Sequence, residues 1–307
     1  MNADEPSPRL REVIARLSPR AAPLIITVFG DSVAPRGGTI WLGSLIALMA
    51  PLGLSDRLVR TGVYRLARDN WLSSRSLGRR SCYEITASAR TAFGQAEGRI
   101  YAGTAPRWDG EWLLIQMLPG LAPAARQSLR TTLGWLGFGQ LSPQLLVRPG
   151  GDDAMIAKHI EEAHAAGLVS VFTARLGTFA GAADARSTAA AAWDFGHLNE
   201  AYSAFLARFC GFERSPPISP LDAFVLRTLL IHEYRRVLLK DPELPPDLLP
   251  RNWAGAGARR LAGKLYLALR DPADRFIASR MEGWEGSVGE PGYGYFSRFA
   301  AADALSA

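Results

Sequence analysis

Four arginines recur at helical spacing between residues 56 and 69, where together they could bind a polyanion. At about 100° per residue they fall on one side of a predicted helix, together with a threonine and a tyrosine. Guanidinium groups fork onto phosphates and onto the O6 and N7 atoms of guanine, and the two hydroxyl side chains suit phosphate or the thymine methyl group. This basic stripe therefore predicts a helix that enters the major groove of DNA, and a solvated surface helix is the alternative. Its members are Arg57, Arg60, Thr61, Tyr64, Arg65 and Arg68.

The opposite side of the same helix is apolar, as a helix packed on a core requires. Ser55 stands where it can cap the helix, and Asp56 lies in the first turn, where the helix dipole favours a negative charge. The apolar residues expected to face the core are Leu58, Val59, Gly62, Val63, Leu66 and Ala67.

The elements around this helix indicate a DNA-binding module. A helix is predicted over 39–50, capped by Thr39 and ended by Pro51 and Gly53, so the order is helix, short turn, helix. Strands are predicted over 71–75 and 81–86, and they form a hairpin with a basic tip. We therefore predict a winged helix-turn-helix over residues 21–104. The predicted DNA contacts are the basic stripe together with Arg36, Thr39, Ser55, Arg79 and Arg80.

Charge is distributed unevenly along the chain. Residues 1–104 contain 14 arginines and 8 acidic residues, whereas the remainder contains 21 basic and 21 acidic residues. The entire net charge of +6 therefore lies in the first third. This asymmetry favours a polyanionic partner for the N-terminal region, and a basic surface that merely meets water is the alternative.

The pattern of elements predicts an α+β fold with three folded regions. Residues 1–20 are expected to be mobile. Residues 105–178 alternate as strand, helix, strand, strand, helix, strand, which is the order of a ferredoxin-like α/β sandwich. Residues 179–307 are expected to form an all-helical C-terminal domain that binds an effector or forms a dimer interface. A linker is expected at 102–106.

Composition excludes several other classes of protein. The two cysteines, Cys82 and Cys210, have no metal-binding spacing, and the four histidines have no zinc motif, so neither a metal nor a cofactor is expected. The most apolar stretch, 41–54, is shorter than the roughly 20 residues that span a bilayer. We therefore expect a cytoplasmic protein that does not contact a membrane.

Several motifs, in order along the chain, resemble the PaaX family of bacterial transcriptional regulators. The resemblance extends over roughly residues 21–278. Its motifs are TVFGD at 27–31, PRGG at 35–38, WLGSL at 41–45, VRT at 59–61, RL at 65–66, GRRSCY at 78–83, IHEYRR at 231–236, DPELP at 241–245 and LLP at 248–250.

The resemblance implies a repressor of phenylacetic acid catabolic genes that is released from double-stranded operator DNA by an aryl-acyl-coenzyme A effector such as phenylacetyl-coenzyme A. It also implies an N-terminal winged helix, a central domain akin to CRISPR-associated Cas2 proteins and a helical C-terminal domain. A homodimer would place two recognition helices about one DNA turn apart on a palindromic operator.

Four side chains on one predicted helix, residues 220–239, are candidate contacts for the thioester: Arg227, His232, Arg235 and Arg236. Arginine forks onto the phosphates that such a thioester carries. A helix face that is solvated, or salt-bridged between domains, with Glu233 is the alternative.

Two other classes of function remain possible from the sequence. The run around Ser32 resembles the nucleophile block of GDSL-type esterases, and Asp194 and His197 have the spacing of the acid and base in that family. Against hydrolysis, no asparagine stands where an oxyanion hole needs one. An interaction or RNA-binding protein built on the ferredoxin-like layer is the other class, but no strand carries the aromatic pattern of sheet-based RNA readers.

Overall fold

The structure is a computed structural model, and it describes residues 5–101, 107–150, 154–214 and 219–300. The chain divides into two compact units. The predicted linker at 102–106 lies outside the described residues, and the predicted C-terminal region contributes to both units. The first unit contains Met1–Gly103, Ala204–Arg236 and Ala256–Ala307, and the second contains Thr104–Ser203 and Val237–Gly255.

The N-terminal part of the first unit begins with a helix that the sequence analysis did not predict. Residues 1–20 were expected to be mobile, but Pro8–Leu17 is helical because Leu10 is buried and Arg9 stacks on the ring of Phe212 at 3.8 Å. The elements of this part are α1 (Pro8–Leu17), α2 (Ala21–Val28), β1 (Thr39–Trp41), α3 (Leu42–Met49), α4 (Asp56–Arg68), β2 (Leu72–Leu77), β3 (Arg80–Ile85) and α5 (Ala87–Tyr101).

Helix α4 packs on α2, and glycine permits the close approach. A Cβ atom at Gly62 would lie 2.6 Å from Cδ1 of Ile25 and 3.3 Å from Cβ of Ala21, so any larger residue would force a rearrangement. Ser55 caps α4 as predicted, since its side chain accepts a hydrogen bond from the amide of Leu58. The described helices include none that is long and apolar enough, taken singly, to cross a membrane, and the one pair that passes that test together is bent by 119°.

The β2–β3 hairpin belongs to a three-stranded antiparallel sheet in the order β1-β3-β2. The hairpin confirms the prediction, but β1 corrects the prediction of a helix starting at Thr39. Thr39 pairs with Glu84 of β3, and the helix begins only at Leu42. The backbone groups of Thr39 enter a strand ladder, so its side chain cannot cap the helix.

The second unit contains the predicted strand and helix order. Its elements are β4 (Glu111–Met117), α6 (Pro123–Trp135), β5 (Gly139–Ser142), β6 (Leu145–Pro149), α7 (Ala154–Glu162), β7 (Val169–Arg175), α8 (Ala185–Ala192) and α9 (Phe195–Phe209), which ends in the first unit. Its four strands form an antiparallel sheet in the order β5-β6-β4-β7, which is the ferredoxin-like arrangement. Leu113 and Ile115 of β4 belong to the core that includes residues of α6 and α7, whereas Trp112 belongs to a core with Ala189 of α8 and Leu248.

The C-terminal segments of the first unit are mostly helical, but the expectation that residues 179–307 are all-helical is wrong. Residues 282–287 form a small antiparallel hairpin in which Glu282 pairs with Ser287. The elements are α10 (Pro220–Leu238), α11 (Gly255–Arg280), β8 (Glu282–Gly283), β9 (Gly286–Ser287) and α12 (Tyr293–Phe296).

Candidate nucleic-acid interface

Helix α4 turns its basic stripe outward. All six stripe residues are exposed, and Tyr64 keeps 69% of its surface accessible. The predicted apolar side is buried at Val59, Gly62, Val63 and Leu66. Leu58 differs from the prediction, because 48% of its surface is exposed at the edge of the stripe. Leu58 therefore places one exposed apolar side chain beside the basic stripe, near the N-terminus of α4.

The arginines of the stripe differ in their surroundings. Nε and Nη2 of Arg60 both donate to the carboxylate of Asp56, and these hydrogen bonds raise the pKa of the guanidinium group. Arg68 donates to Asp69 at 3.1 Å. Among the described residues, Arg57 and Arg65 have no ion-pair partner. The two flanking aspartates thus pair with two of the four arginines of the stripe.

The hairpin places further positive charge on the same unit. Arg79 lies exposed in the turn between β2 and β3, after Leu77, which is 64% exposed. Arg80 stacks on the ring of Trp41 at 4.4 Å and donates to Glu282 at 2.8 Å. Sequence reasoning missed Glu282 as a partner, because it follows Arg80 by 202 residues and no spacing rule links the two.

Two predicted DNA contacts have partners within the first unit, and burial contradicts the prediction for Arg36. The side chain of Arg36 is 2% exposed, and it is bound by the carboxylate of Asp274 at 2.8 Å and by the carbonyl of Ser32 at 3.0 Å. A guanidinium so enclosed cannot reach a phosphate. Oγ1 of Thr39 accepts a hydrogen bond from the amide of Trp284 at 3.0 Å, and Thr39 itself pairs with Glu84 in the sheet.

Arg227 and His232 are buried, which corrects the idea that α10 offers them to a ligand. Arg227 is fully buried, and its Nε lies 3.0 Å from the carboxylate of Asp31 while its Nη1 lies 2.7 Å from that of Asp274. Nδ1 of His232 is hydrogen-bonded to Oγ1 of Thr27 at 2.9 Å. Burial, followed by the nearby cations Arg235 and Arg236, lowers the pKa of His232 to about 3.

The other two candidates on α10 have partners of their own. Arg235 donates to Oγ1 of Thr27 at 2.9 Å and to the carbonyl of Pro23 at 2.7 Å, which ties α10 to α2. Arg236 is exposed and donates to Glu233 at 2.7 Å. These residues of α10 therefore mainly make contacts within the first unit, and of the four only Arg236 pairs with Glu233, as the alternative interpretation expected.

The esterase candidates do not form a catalytic site. Ser32 is fully buried in the first unit, and its Oγ accepts a hydrogen bond from Arg227 at 3.4 Å instead of facing an imidazole. A nucleophilic serine needs both access to substrate and a general base. Asp194 belongs to the second unit and caps α9, since it accepts hydrogen bonds from the amides of Gly196 and His197.

A cavity of about 450 Å³ lies within the second unit. Two arginines and an indole contribute to its wall, and the segment after α10 supplies proline and leucine. Arg148 also lies against the ring of Phe138, at 5.1 Å. The residues around the cavity are Arg107, Trp108, Asp109, Arg148, Pro149, Gly150, Pro242, Glu243, Leu244 and Pro245.

Comparison with known proteins covers nearly the whole chain. Family models match at residues 20–89 (PaaX-like protein), 105–189 (PaaX protein central Cas2-like domain) and 193–279 (PaaX-like protein C-terminal domain). The chain is 37% identical over 281 residues to the transcriptional repressor PaaX of Escherichia coli K12, an alignment that spans 90% of this chain and 89% of that protein.

Among solved structures, the uncharacterized protein Rv0674 from Mycobacterium tuberculosis is similar in fold. The TM-score is 0.50 at 23% identity, with 76% of this chain and 89% of that one covered. The three family models and the alignment with the E. coli repressor over 90% of this chain lead to one conclusion. The chain is a member of the PaaX family.

Proposed function

We propose that this chain is a transcriptional repressor that binds double-stranded operator DNA. The observation that carries the proposal is the exposed basic stripe on α4, which stands beside a hairpin with a basic tip. A relative that is 37% identical is a transcriptional repressor, and the PaaX-like family model over residues 20–89 includes both elements. In this proposal residues 21–101 act as a winged helix-turn-helix, in which α4 enters the major groove and the β2–β3 hairpin is the wing.

The regulated genes in this proposal are those of phenylacetate catabolism, and the protein acts in the cytoplasm. An aryl-acyl-coenzyme A thioester such as phenylacetyl-coenzyme A releases the repressor, because it binds the DNA-incompetent state more tightly than the competent one. The protein binds as a homodimer, so that two copies of α4 read two half-sites of one operator. No reaction is assigned to it.

The cavity of the second unit is a better candidate for the thioester than α10. Arg107 and Arg148 offer guanidinium groups for phosphate, and Trp108 offers a flat apolar surface for the acyl group. Of the four candidate contacts on α10 only Arg236 is exposed, and Glu233 already pairs with it.

The deciding experiment is an equilibrium binding assay on the DNA upstream of phenylacetate genes, at fixed salt because phosphate contacts make affinity steeply salt-dependent. Arg57→Ala and Arg60→Ala should each weaken specific binding by about 1–3 kcal/mol if the side chain contacts a base. Arg16→Ala on α1, which removes an exposed arginine outside the stripe, is the matched control.

The same assay tests the effector. Phenylacetyl-coenzyme A should dissociate the specific complex, whereas free phenylacetate should not. If the wild-type protein prefers the operator no more than random DNA of equal length, the repressor proposal is wrong. If the complex is specific but unaffected by the thioester, DNA binding stands and the effector proposal fails.

A further inference from the structure

The outer face of the three-stranded sheet carries two arginines and two tryptophans in contact. Cys82 of β3 stands opposite Trp41 of β1 on one side and opposite Arg75 of β2 on the other. Directly opposed residues of antiparallel strands project from the same face, and so do residues two apart in one strand. Arg80 of β3 therefore shares this face with Trp41 and Arg75.

A tryptophan from the C-terminal hairpin completes the group. The rings of Trp41 and Trp284 stack with centroids 5.5 Å apart and an angle of 22° between their planes. Cζ of Arg80 lies 4.4 Å from the ring centroid of Trp41, and Cζ of Arg75 lies 4.4 Å from that of Trp284. Each ring thus has one guanidinium against it. We refer to these four residues as the arginine–tryptophan cluster.

The position of Trp284 is fixed by its backbone. Its amide donates to Oγ1 of Thr39 at 3.0 Å, and the amide of Glu282 donates to Oγ of Ser44 at 3.1 Å. Gly283 lies so close to β1 that a Cβ atom there would be 3.0 Å from Oγ1 of Thr39 and 3.3 Å from its carbonyl oxygen. The C-terminal hairpin is therefore built onto the sheet, and it leaves Trp41 only 5% exposed.

Both arginines of the cluster remain open to an anion. The side chain of Arg80 is 60% exposed and that of Arg75 is 48% exposed. Their carboxylate partners are weak competitors, because Glu282 is itself 56% exposed and Glu84 lies 3.6 Å from Arg75. An aromatic ring fixes the plane of a guanidinium group and leaves its N–H edge free to fork onto phosphate.

We propose that Arg75 and Arg80 bind the phosphate backbone of duplex DNA, and that Trp41 and Trp284 are positioning residues that hold the two guanidinium groups in place. The proposal rests on the proposed function, and to the predicted contact Arg80 it adds Arg75 and the two tryptophans. It makes the C-terminal hairpin part of the DNA-binding surface. In the free protein Arg80 pairs with the carboxylate of Glu282, and in the complex a phosphate oxygen replaces that carboxylate.

The test is the salt dependence of DNA binding by the full chain, measured by fluorescence anisotropy over a series of salt concentrations. Each lost phosphate contact reduces the slope of log K against log salt by about 0.9. Arg75→Gln and Arg80→Gln should each reduce the slope by this amount and weaken operator and random DNA equally. Glu282→Gln should tighten both complexes, and Arg16→Gln on α1 is the matched control.

The positioning role is tested at Trp284 with a pair of variants, because Trp41 is only 5% exposed and belongs to the core. Trp284→Ala should reduce the slope as Arg75→Gln does, whereas Trp284→Phe should retain it, since a phenyl ring still supports a guanidinium group. A folding defect would reduce the fraction of protein able to bind. It would weaken binding by the same factor at every salt concentration and leave the slope, which reports the number of phosphates contacted, unchanged. Should Trp284→Ala not fold, Trp284→Leu, which keeps an apolar side chain without an aromatic ring, takes its place, because the arginine variants test only the phosphate contacts.

The outcomes separate this proposal from the one on which it rests. If Arg57→Ala loses operator preference while Arg75→Gln and Arg80→Gln leave the slope unchanged, the cluster does not bind phosphate and the repressor proposal stands. If the wild-type chain shows no operator preference, the repressor proposal itself fails. An unchanged slope in Trp284→Ala, together with reduced slopes in both arginine variants, overturns the positioning role.

Discussion

His232 is a buried imidazole whose neutral form the fold requires. Its environment lowers the pKa to about 3, compared with 6.5 for an ordinary histidine, because burial and the adjacent arginines disfavour the cation. The unfolded chain therefore binds a proton near pH 6.5 that the folded chain binds only near pH 3. The free energy of unfolding should be unaffected by this group above pH 6.5 and should fall as the pH drops from 6.5 towards 3.

We expect His232 to lower the free energy of unfolding by about 2 kcal/mol between pH 7.5 and pH 5. Urea unfolding at the two pH values measures this loss. In His232→Gln, which keeps a polar side chain next to Thr27 without titrating, the loss should shrink by about that amount. His197→Gln, which removes an exposed imidazole, is the control, and an equal pH dependence in wild type and His232→Gln would contradict the prediction.

At the scale of the element, the packing of α4 on α2 depends on Gly62. Alanine favours a helix over glycine by about 1 kcal/mol, so propensity alone predicts that Gly62→Ala is stabilising. The added Cβ would lie 2.6 Å from Cδ1 of Ile25, and such overpacking costs about 1–3 kcal/mol in a close-packed core. Ile25 is fully buried and has little room to move.

We expect Gly62→Ala to lose about 1 kcal/mol of stability on balance, as the midpoint of urea unfolding would show. Gly94→Ala in α5 is the matched control, because a Cβ atom there meets nothing within 4 Å. That variant should gain up to about 1 kcal/mol from helix propensity alone. If Gly62→Ala is as stable as the wild type and binds DNA with unchanged affinity, α2 moves away from α4 at little cost and the prediction is wrong.

The elements also divide what the sequence could predict from what it could not. Helix α4 and the hairpin were predictable because local signals specify them, namely the cap at Ser55, the two-sided periodicity and the turn at Gly78. Strand β1 was not, because three residues become a strand only by pairing with Glu84 and its neighbours, 45 positions later. The contact of Trp284 with Trp41 likewise depends on tertiary packing, which no local pattern encodes.

At the scale of the whole molecule, buried charges connect the N-terminal region with the C-terminal segments of the first unit. Asp31 lies against both Arg227 of α10 and Arg298, and Arg36 binds Asp274 of α11. Burial would raise the pKa of Asp31, but the attraction of Arg227 and Arg298 lowers it below 3.8. These ion pairs form only when the chain segments from 21 to 36 and from 220 to 300 are folded together.

This arrangement sets a limit on how the DNA-binding module can be isolated. A fragment of residues 1–103 retains every predicted DNA contact, so a modular view expects it to fold and bind. In the fragment, however, Asp31 and Arg36 lose their charged partners, and removing one side of a buried ion pair costs about 3–5 kcal/mol. The fragment also lacks Arg235, which donates to Thr27 and to the carbonyl of Pro23.

We therefore expect the fragment 1–103 to unfold without cooperativity and to bind operator DNA no better than random DNA, although the full chain unfolds cooperatively in the same buffer. Near-UV circular dichroism and urea titration measure the first property, and anisotropy with both DNAs measures the second. In the full chain, Arg227→Met removes one buried charge and keeps α10 in place. Its loss of stability therefore measures the contribution of the ion pairs without the loss of apolar contacts that truncation causes. A fragment that unfolds cooperatively and binds the operator as tightly as the full chain would show that the N-terminal region is an independent domain and that the buried charges serve the C-terminal helices alone.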